Sequence, residues 1–224
     1  MPKVLIVAHG QPGDPGPQQQ AVETLAASVA ALLPGHQVRG ATLAMPGALD
    51  VADNDTLIYP MFMAEGWFTR SELPRRLGLS GAPNARILPP FGNDPGLPTL
   101  CRDLIEQATA AQGWPMETTH ILLAAHGSGR SRAPFEAVQK MAQDLLPLRV
   151  TCGFIEEPPY LADAAANLPA QSICLPLFAT RAEHVTDDLP EALAQAGFRG
   201  ITLPPVGMAA KVPAMIAETI RAAL

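Results

Sequence analysis

The stretch VLIVAHG at residues 4–10 returns as ILLAAHG at residues 121–127, so the chain states its opening element twice, half its 224-residue length apart. The register holds well beyond that element. His9 pairs with His126 at a separation of 117; Pro60, Phe62, Leu73 and Pro74 pair with Pro176, Phe178, Leu189 and Pro190 at 116; Pro89, Pro90, Gly92 and Pro98 pair with Pro204, Pro205, Gly207 and Pro213 at 115. A drift of two residues over a whole half requires the two halves to share one order of elements, which is what an internal duplication leaves behind. We place the boundary in AAQGWPMET, giving an N-terminal lobe over 1–114 and a C-terminal lobe over 115–224.

Within each half, short apolar runs alternate with Ala-rich or amphipathic stretches. KVLIVA (3–8) is apolar throughout and ends at His-Gly, the pattern of a strand buried on both faces. Residues 17–33 predict a helix with Pro17 in its first turn. Strands follow at 36–44, 55–63 and 85–90, with helices at 69–78 and 97–112. The order then restarts: strands at 119–127, 148–156, 172–180 and 200–207, helices at 133–146 and 209–223. Alternating strands and helices predict an α/β fold, with two parallel sheets flanked by helices and related by a pseudo-twofold. A cleft between the halves follows from that symmetry, and ligands of such sheets bind beyond the carboxyl ends of the strands.

Composition narrows the function. Hydrophobic residues make up 48% and charged residues 16%, the balance of a well-buried globular chain. A net charge of −6 argues against nucleic acid or an acidic membrane surface as a partner. The N-terminus reads as a strand, not a signal peptide, and no apolar run nears the roughly 20 residues that span a bilayer. The three cysteines form no CxxC pair, which points to a reducing cytoplasm. No phosphate loop of the GxxxxGK[ST] type is present, so no nucleotide cofactor is expected.

The differences between the halves carry the chemistry. In the second half, strand one ends at His126, strand two at Glu156, and the third strand leads to His184. All three come to the same edge of the sheet. The matching positions of the first half are His9, Ala44 and Phe68. Two imidazoles and a carboxylate suit a borderline divalent metal such as Co²⁺, Ni²⁺, Zn²⁺ or Fe²⁺, with coordination positions left open, and the same groups serve as bases near neutral pH. Glu157 adjoins Glu156 and is the alternative carboxylate. His9 reads either as a relic of the duplication or as a substrate-facing group; Trp67, Phe68 and Met63 read as packing or as an apolar surface for a ring. Arg130, Arg132 and Arg181 are candidate carboxylate anchors, because the guanidinium fork matches a carboxylate.

ILLAAHGSGRSR, VTCGFIEEPP, LPLFATRAEHVTDDLP and LPPVG in the second half, with VLIVAHG, YPMFMAEGWFTRSELP and ILPPFG in the first, resemble the sirohydrochlorin chelatases of the CbiX/SirB type, which are class II tetrapyrrole chelatases. The likeness runs over nearly the whole chain. It implies two flavodoxin-like lobes and a lyase that inserts a divalent metal, cobalt or ferrous iron (nickel also fits the donor set), into sirohydrochlorin or a related tetrapyrrole in cobalamin or siroheme biosynthesis. It implies that His126, His184 and Glu156 bind the metal and assist proton removal, with Arg130, Phe68, Trp67 and His9 toward the tetrapyrrole. Metal is then the substrate, and no redox or nucleotide cofactor is implied. Many two-lobed members carry the full site in the first half, whereas Ala44 and Phe68 stand there in this chain, which moves the expected site to the second half. The alternative is a homologue that binds a tetrapyrrole or a metal without turnover. A monomer or a homodimer is compatible with two fused lobes.

Overall fold

A computed structural model describes residues 1–180 and 187–224. In chain order the elements are β1 (Lys3–Ala8), α1 (Pro15–Leu32), β2 (Gln37–Thr42), β3 (Thr56–Pro60), α2 (Leu73–Leu79), β4 (Arg86–Ile87), α3 (Leu97–Gln112), β5 (His120–Ala125), α4 (Ala133–Asp144), β6 (Arg149–Phe154), α5 (Leu161–Ala165), β7 (Ser172–Pro176), α6 (Leu189–Gln195), β8 (Ile201–Thr202) and α7 (Val212–Ala223). The described strands form two parallel four-stranded sheets with the same order, β2-β1-β3-β4 and β6-β5-β7-β8. The expected duplicated, helix-flanked parallel α/β fold is therefore present.

Proline explains much of the punctuation. α1, α2, α3, α4, α6 and α7 each carry Pro in the first turn, where the missing N–H would have had no helical partner. β3 and β7 each end on Pro. The fourth strand of each sheet shrinks from the expected six or eight residues to two. Each then gains one further rung, Leu88 N–H to Ile58 O at 2.9 Å and Leu203 N–H to Cys174 O at 2.9 Å. Pro89-Pro90 and Pro204-Pro205 follow and have no N–H to continue the ladder. The helix expected over 69–78 begins as a wider π-type turn, Phe68–Glu72, before α2. The short α5 was not anticipated; at five residues it is too brief to show a periodic face.

The chain forms two compact units, Met1–Pro95 with Ala210–Leu224, and Gly96–Ala209. The last helix of each sequence repeat thus belongs to the unit built by the other repeat. In the first unit α7 packs on α1, burying Val212, Met215, Ile216 and Ile220. Arg221 Nη2 donates to Leu32 O at 2.7 Å, and Arg86 Nη1 donates to Ala223 O at 2.6 Å. The hydroxyls of Tyr59 and Thr219 both donate to Asp94 Oδ2 at 2.8 Å, deep in this unit. In the second unit α3 packs on β7, and Arg102 Nη2 donates to the carbonyls of Asp144 and Leu146, each at 3.1 Å. A division at 114/115 describes the repeat in sequence, but it cuts through both compact units. Periodicity shows that a helix has an apolar face; it does not show which of two equivalent sheets receives it.

Candidate functional site

In the second unit, β5 runs out at Ala125 and the chain turns through His126 and Gly127. Gly127 has φ +75°, a left-handed conformation that side chains resist. β6 leaves its ladder alongside. Ile155 N–H donates to Ala125 O at 3.0 Å, and Glu156 N–H donates to His126 O at 2.9 Å. Those rungs hold the backbones of His126 and Glu156 side by side at the carboxyl edge of the sheet. The side chains converge too, with His126 Nδ1 3.6 Å from Glu156 Oε2. Both are reachable from solvent, His126 at 34% and Glu156 at 51% side-chain exposure.

His126 Nδ1 also lies 3.0 Å from Gly127 O. A carbonyl only accepts, so Nδ1 carries the hydrogen and Nε2 is the lone-pair nitrogen of the neutral ring. Glu157 is turned elsewhere. Its Oε1 accepts the Ser128 N–H at 2.8 Å, and its Cγ lies where a Cβ on Gly127 would be 2.9 Å away. Of the two adjacent carboxylates, Glu156 therefore stands with His126 and Glu157 braces the loop. The inward brace is what the sequence reading missed; the adjacent acidic pair was its one visible signal.

The third residue expected at this edge, His184, lies outside the described residues, as does Arg181. Among the described residues no group of three His, Cys, Asp or Glu forms a metal cluster. The three cysteines are buried, and burial pushes the thiols of Cys101 and Cys174 up to about 12 and that of Cys152 up to about 11. Arg130 is exposed on the loop after β5, its N–H donating to Ser128 Oγ at 3.2 Å. The Arg132 guanidinium sits 4.4 Å over the Phe135 ring, and that ring stacks on Phe154 at 5.3 Å.

The first unit repeats the backbone of this site with other side chains. Gly10 has φ +77°, His9 Nδ1 donates to Gly10 O at 2.6 Å, Leu43 N–H donates to Ala8 O at 2.9 Å, and Ala44 N–H donates to His9 O at 3.0 Å. Ala44 thus occupies the place of Glu156, and Met45 that of Glu157. The Phe68 ring meets His9 edge-on at 4.4 Å, with Trp67 at 5.0 Å and Phe62 at 6.2 Å from Phe68. Trp67 is 62% exposed and Phe68 37%. His9, Trp67 and Phe68 are therefore gathered into one aromatic surface at the carboxyl edge of their own sheet.

A family model for CbiX matches residues 120–223. The structure superposes on CbiX, described as the terminal enzyme for biosynthesis of siroheme in denitrifying bacteria, with a TM-score of 0.96 and 71% identity, over 99% of both chains. SirB from Bacillus subtilis with Fe³⁺ matches at TM-score 0.76 and 14% identity, over 98% of this chain and 94% of that one. SirB from Bacillus subtilis subspecies spizizenii in complex with cobalt matches at TM-score 0.66 and 13% identity, over 98% and 93%. At those identities the two SirB structures share the fold. A search of curated protein sequences found no match. With 71% identity carried over almost the full length of both chains, the protein belongs to the CbiX family.

Proposed function

We propose that this chain is a chelatase that inserts a divalent metal, ferrous iron or cobalt, into sirohydrochlorin or a close relative, from the carboxyl edge of the β6-β5-β7-β8 sheet. The observation that carries this reading is the His126–Glu156 pair, 3.6 Å apart and open to solvent, in a chain 71% identical to the terminal enzyme of siroheme biosynthesis. The last step from a metal-free macrocycle to an iron tetrapyrrole is metal insertion. The reaction exchanges two pyrrole N–H protons for one divalent cation. Two N–H bonds break, four metal–nitrogen bonds form, and two protons leave. No electron is transferred, so the metal is substrate and the step calls for no redox cofactor.

Each residue then has a task. His126 offers the Nε2 lone pair to the incoming cation, its ring held by the Nδ1 bond to Gly127 O. Glu156, whose Oε2 is 3.6 Å from the His126 ring at Nδ1, reaches the cation or takes a pyrrole proton. His184 is the second imidazole. The repeat supports it: Phe68 matches His184 in sequence, and its ring stands 4.4 Å from that of His9, the match of His126. Arg130 pairs with a carboxylate of the substrate, and the His9, Trp67 and Phe68 surface offers π faces to a planar ring. The enzyme works in the cytoplasm as a monomer or homodimer; its three buried, unpaired cysteines suit a reducing compartment.

The test is anaerobic. Purified protein is mixed with sirohydrochlorin and Fe²⁺ or Co²⁺, and the absorption spectrum is followed beside His126→Ala and His184→Ala. Insertion above the protein-free rate, lost in both variants, is the expected result. Binding of the tetrapyrrole without acceleration for either metal would make the chain a carrier and end the chelatase reading.

A further inference from the structure

Gly127 C=O and Ser128 N–H belong to one peptide group, and its two ends face different side chains. The carbonyl accepts from His126 Nδ1 at 3.0 Å, and the N–H donates to Glu157 Oε1 at 2.8 Å. The order is carboxylate, peptide, imidazole. A carboxylate that accepts an N–H polarises the whole peptide and makes its carbonyl a stronger acceptor. A stronger acceptor on Nδ1–H fixes the ring and raises electron density at Nε2. In metalloproteins a carboxylate or carbonyl on the far nitrogen of a ligating histidine does this work directly; here Glu156 Oε2 lies 3.6 Å from Nδ1, beyond hydrogen-bond distance, and Glu157 reaches the bonded carbonyl through one peptide group.

The first unit provides an internal comparison. There the His9–Gly10 carbonyl bond is present at 2.6 Å and the two backbone rungs are the same, but Met45 stands where Glu157 stands. The fold by itself forms the histidine–carbonyl contact. The carboxylate on the other end of the peptide is an addition of the unit that also holds Glu156. It is built in closely, because a Cβ on Gly127 would lie 2.9 Å from Glu157 Cγ and 3.1 Å from Phe154 Cβ.

We propose that Glu157 is a positioning residue that, through the Gly127–Ser128 peptide, orients His126 and strengthens its Nε2 as a metal ligand. The proposal rests on His126 receiving the metal. Loss of a partner behind a ligating histidine typically costs 10–100-fold in metal affinity. Acting through a peptide, Glu157 belongs at the lower end.

The experiment uses the full chain as Glu157→Ala and Glu157→Gln, the latter keeping an oxygen acceptor for Ser128 N–H without the charge. Ring ¹⁵N shifts of histidine-labelled protein are read through the carbon-bound ring protons at about pH 8, where free imidazoles are neutral, with His126 assigned by His126→Ala. Metal KM and kcat are measured by Co²⁺ insertion. In Glu157→Ala the His126 Nδ1 and Nε2 shifts should move toward those of a solvent-exposed ring, with metal KM raised about tenfold and kcat within about twofold. Glu157→Gln should lie between alanine and wild type in both readouts. Unchanged His126 shifts in Glu157→Ala, an unchanged KM, or a glutamine variant no better than alanine would each overturn the proposal. The ring shifts do not depend on turnover, so a wild type that inserts no metal would refute the chelatase reading while the relay is still judged by the spectra.

Discussion

Gly127→Ala and Gly10→Ala form a matched pair, because the duplication has built the same turn twice with different side chains around it. Both glycines are left-handed, at φ +75° and +77°, so alanine at either costs about 1–2 kcal/mol in backbone strain. The contacts differ. At residue 10 the new Cβ would lie 2.7 Å from both Ala44 Cβ and Thr42 Cβ, atoms fixed to the backbone, so relief requires a backbone shift of about 1–3 kcal/mol. At residue 127 the nearest atom is Glu157 Cγ at 2.9 Å, on a side chain that can swing away. Swinging breaks the 2.8 Å bond to Ser128 N–H, a charge-assisted bond of about 1.5–3 kcal/mol. Each variant should lose about 3 kcal/mol, or roughly 6–12 °C in Tm for a chain of this length, and still fold. Metal handling should separate them. Gly127→Ala should raise the metal KM about tenfold, as loss of a partner behind a ligating histidine does, while Gly10→Ala leaves it within about twofold. Thermal unfolding followed by circular dichroism and Co²⁺ insertion kinetics read the two effects. Equal increases in metal KM would refute the placing of metal chemistry in the second unit, and an undiminished Tm in either variant would refute the strain.

Tyr59→Phe should cost about 1.5–3 kcal/mol in urea unfolding, because buried Asp94 loses a donor. Combined with Thr219→Val the loss should be non-additive, since both hydroxyls donate to the same oxygen. Ile216→Ala, at a fully buried position of α7, should cost about 2–5 kcal/mol. In hydrogen exchange the loss should appear first in β1 and β3, with β5 and β7 protected longer, if α7 belongs to the first unit. Hydrogen bonds from Arg75 and Arg76 hold the Glu72 carboxyl at about 2, below its ordinary 4.5. A depressed carboxyl stabilises the fold above its unfolded value, and that contribution fades as pH falls from about 4.5 toward 2. Glu72→Gln should therefore lower Tm at pH 7 and converge on wild type near pH 2.

The repeat determined most of the fold. Two apolar runs ending in Ala-His-Gly, and prolines recurring at fixed separation, dictate two sheets of one topology, because each proline ends a ladder or opens a helix wherever it falls. The pairing of His126 with Glu156 was also legible: they follow β5 and β6, neighbouring parallel strands of one sheet, and the strand ends of one sheet share an edge. Three things lay beyond it. The exchange of α3 and α7 depends on which of two equivalent apolar faces each helix covers, a long-range choice that local pattern does not encode. The division of labour between Glu156 and Glu157 depends on side-chain direction after the strand has ended, where strict alternation no longer holds, and Gly127 decides it by leaving room for Glu157 to turn inward. The last is the link from Glu157 to His126, residues 31 apart in sequence that meet across a single peptide group. Sequence fixes which groups are present and on which edge they emerge; only the folded backbone, by closing the Gly127–Ser128 turn against the end of β6, sets which of them touch.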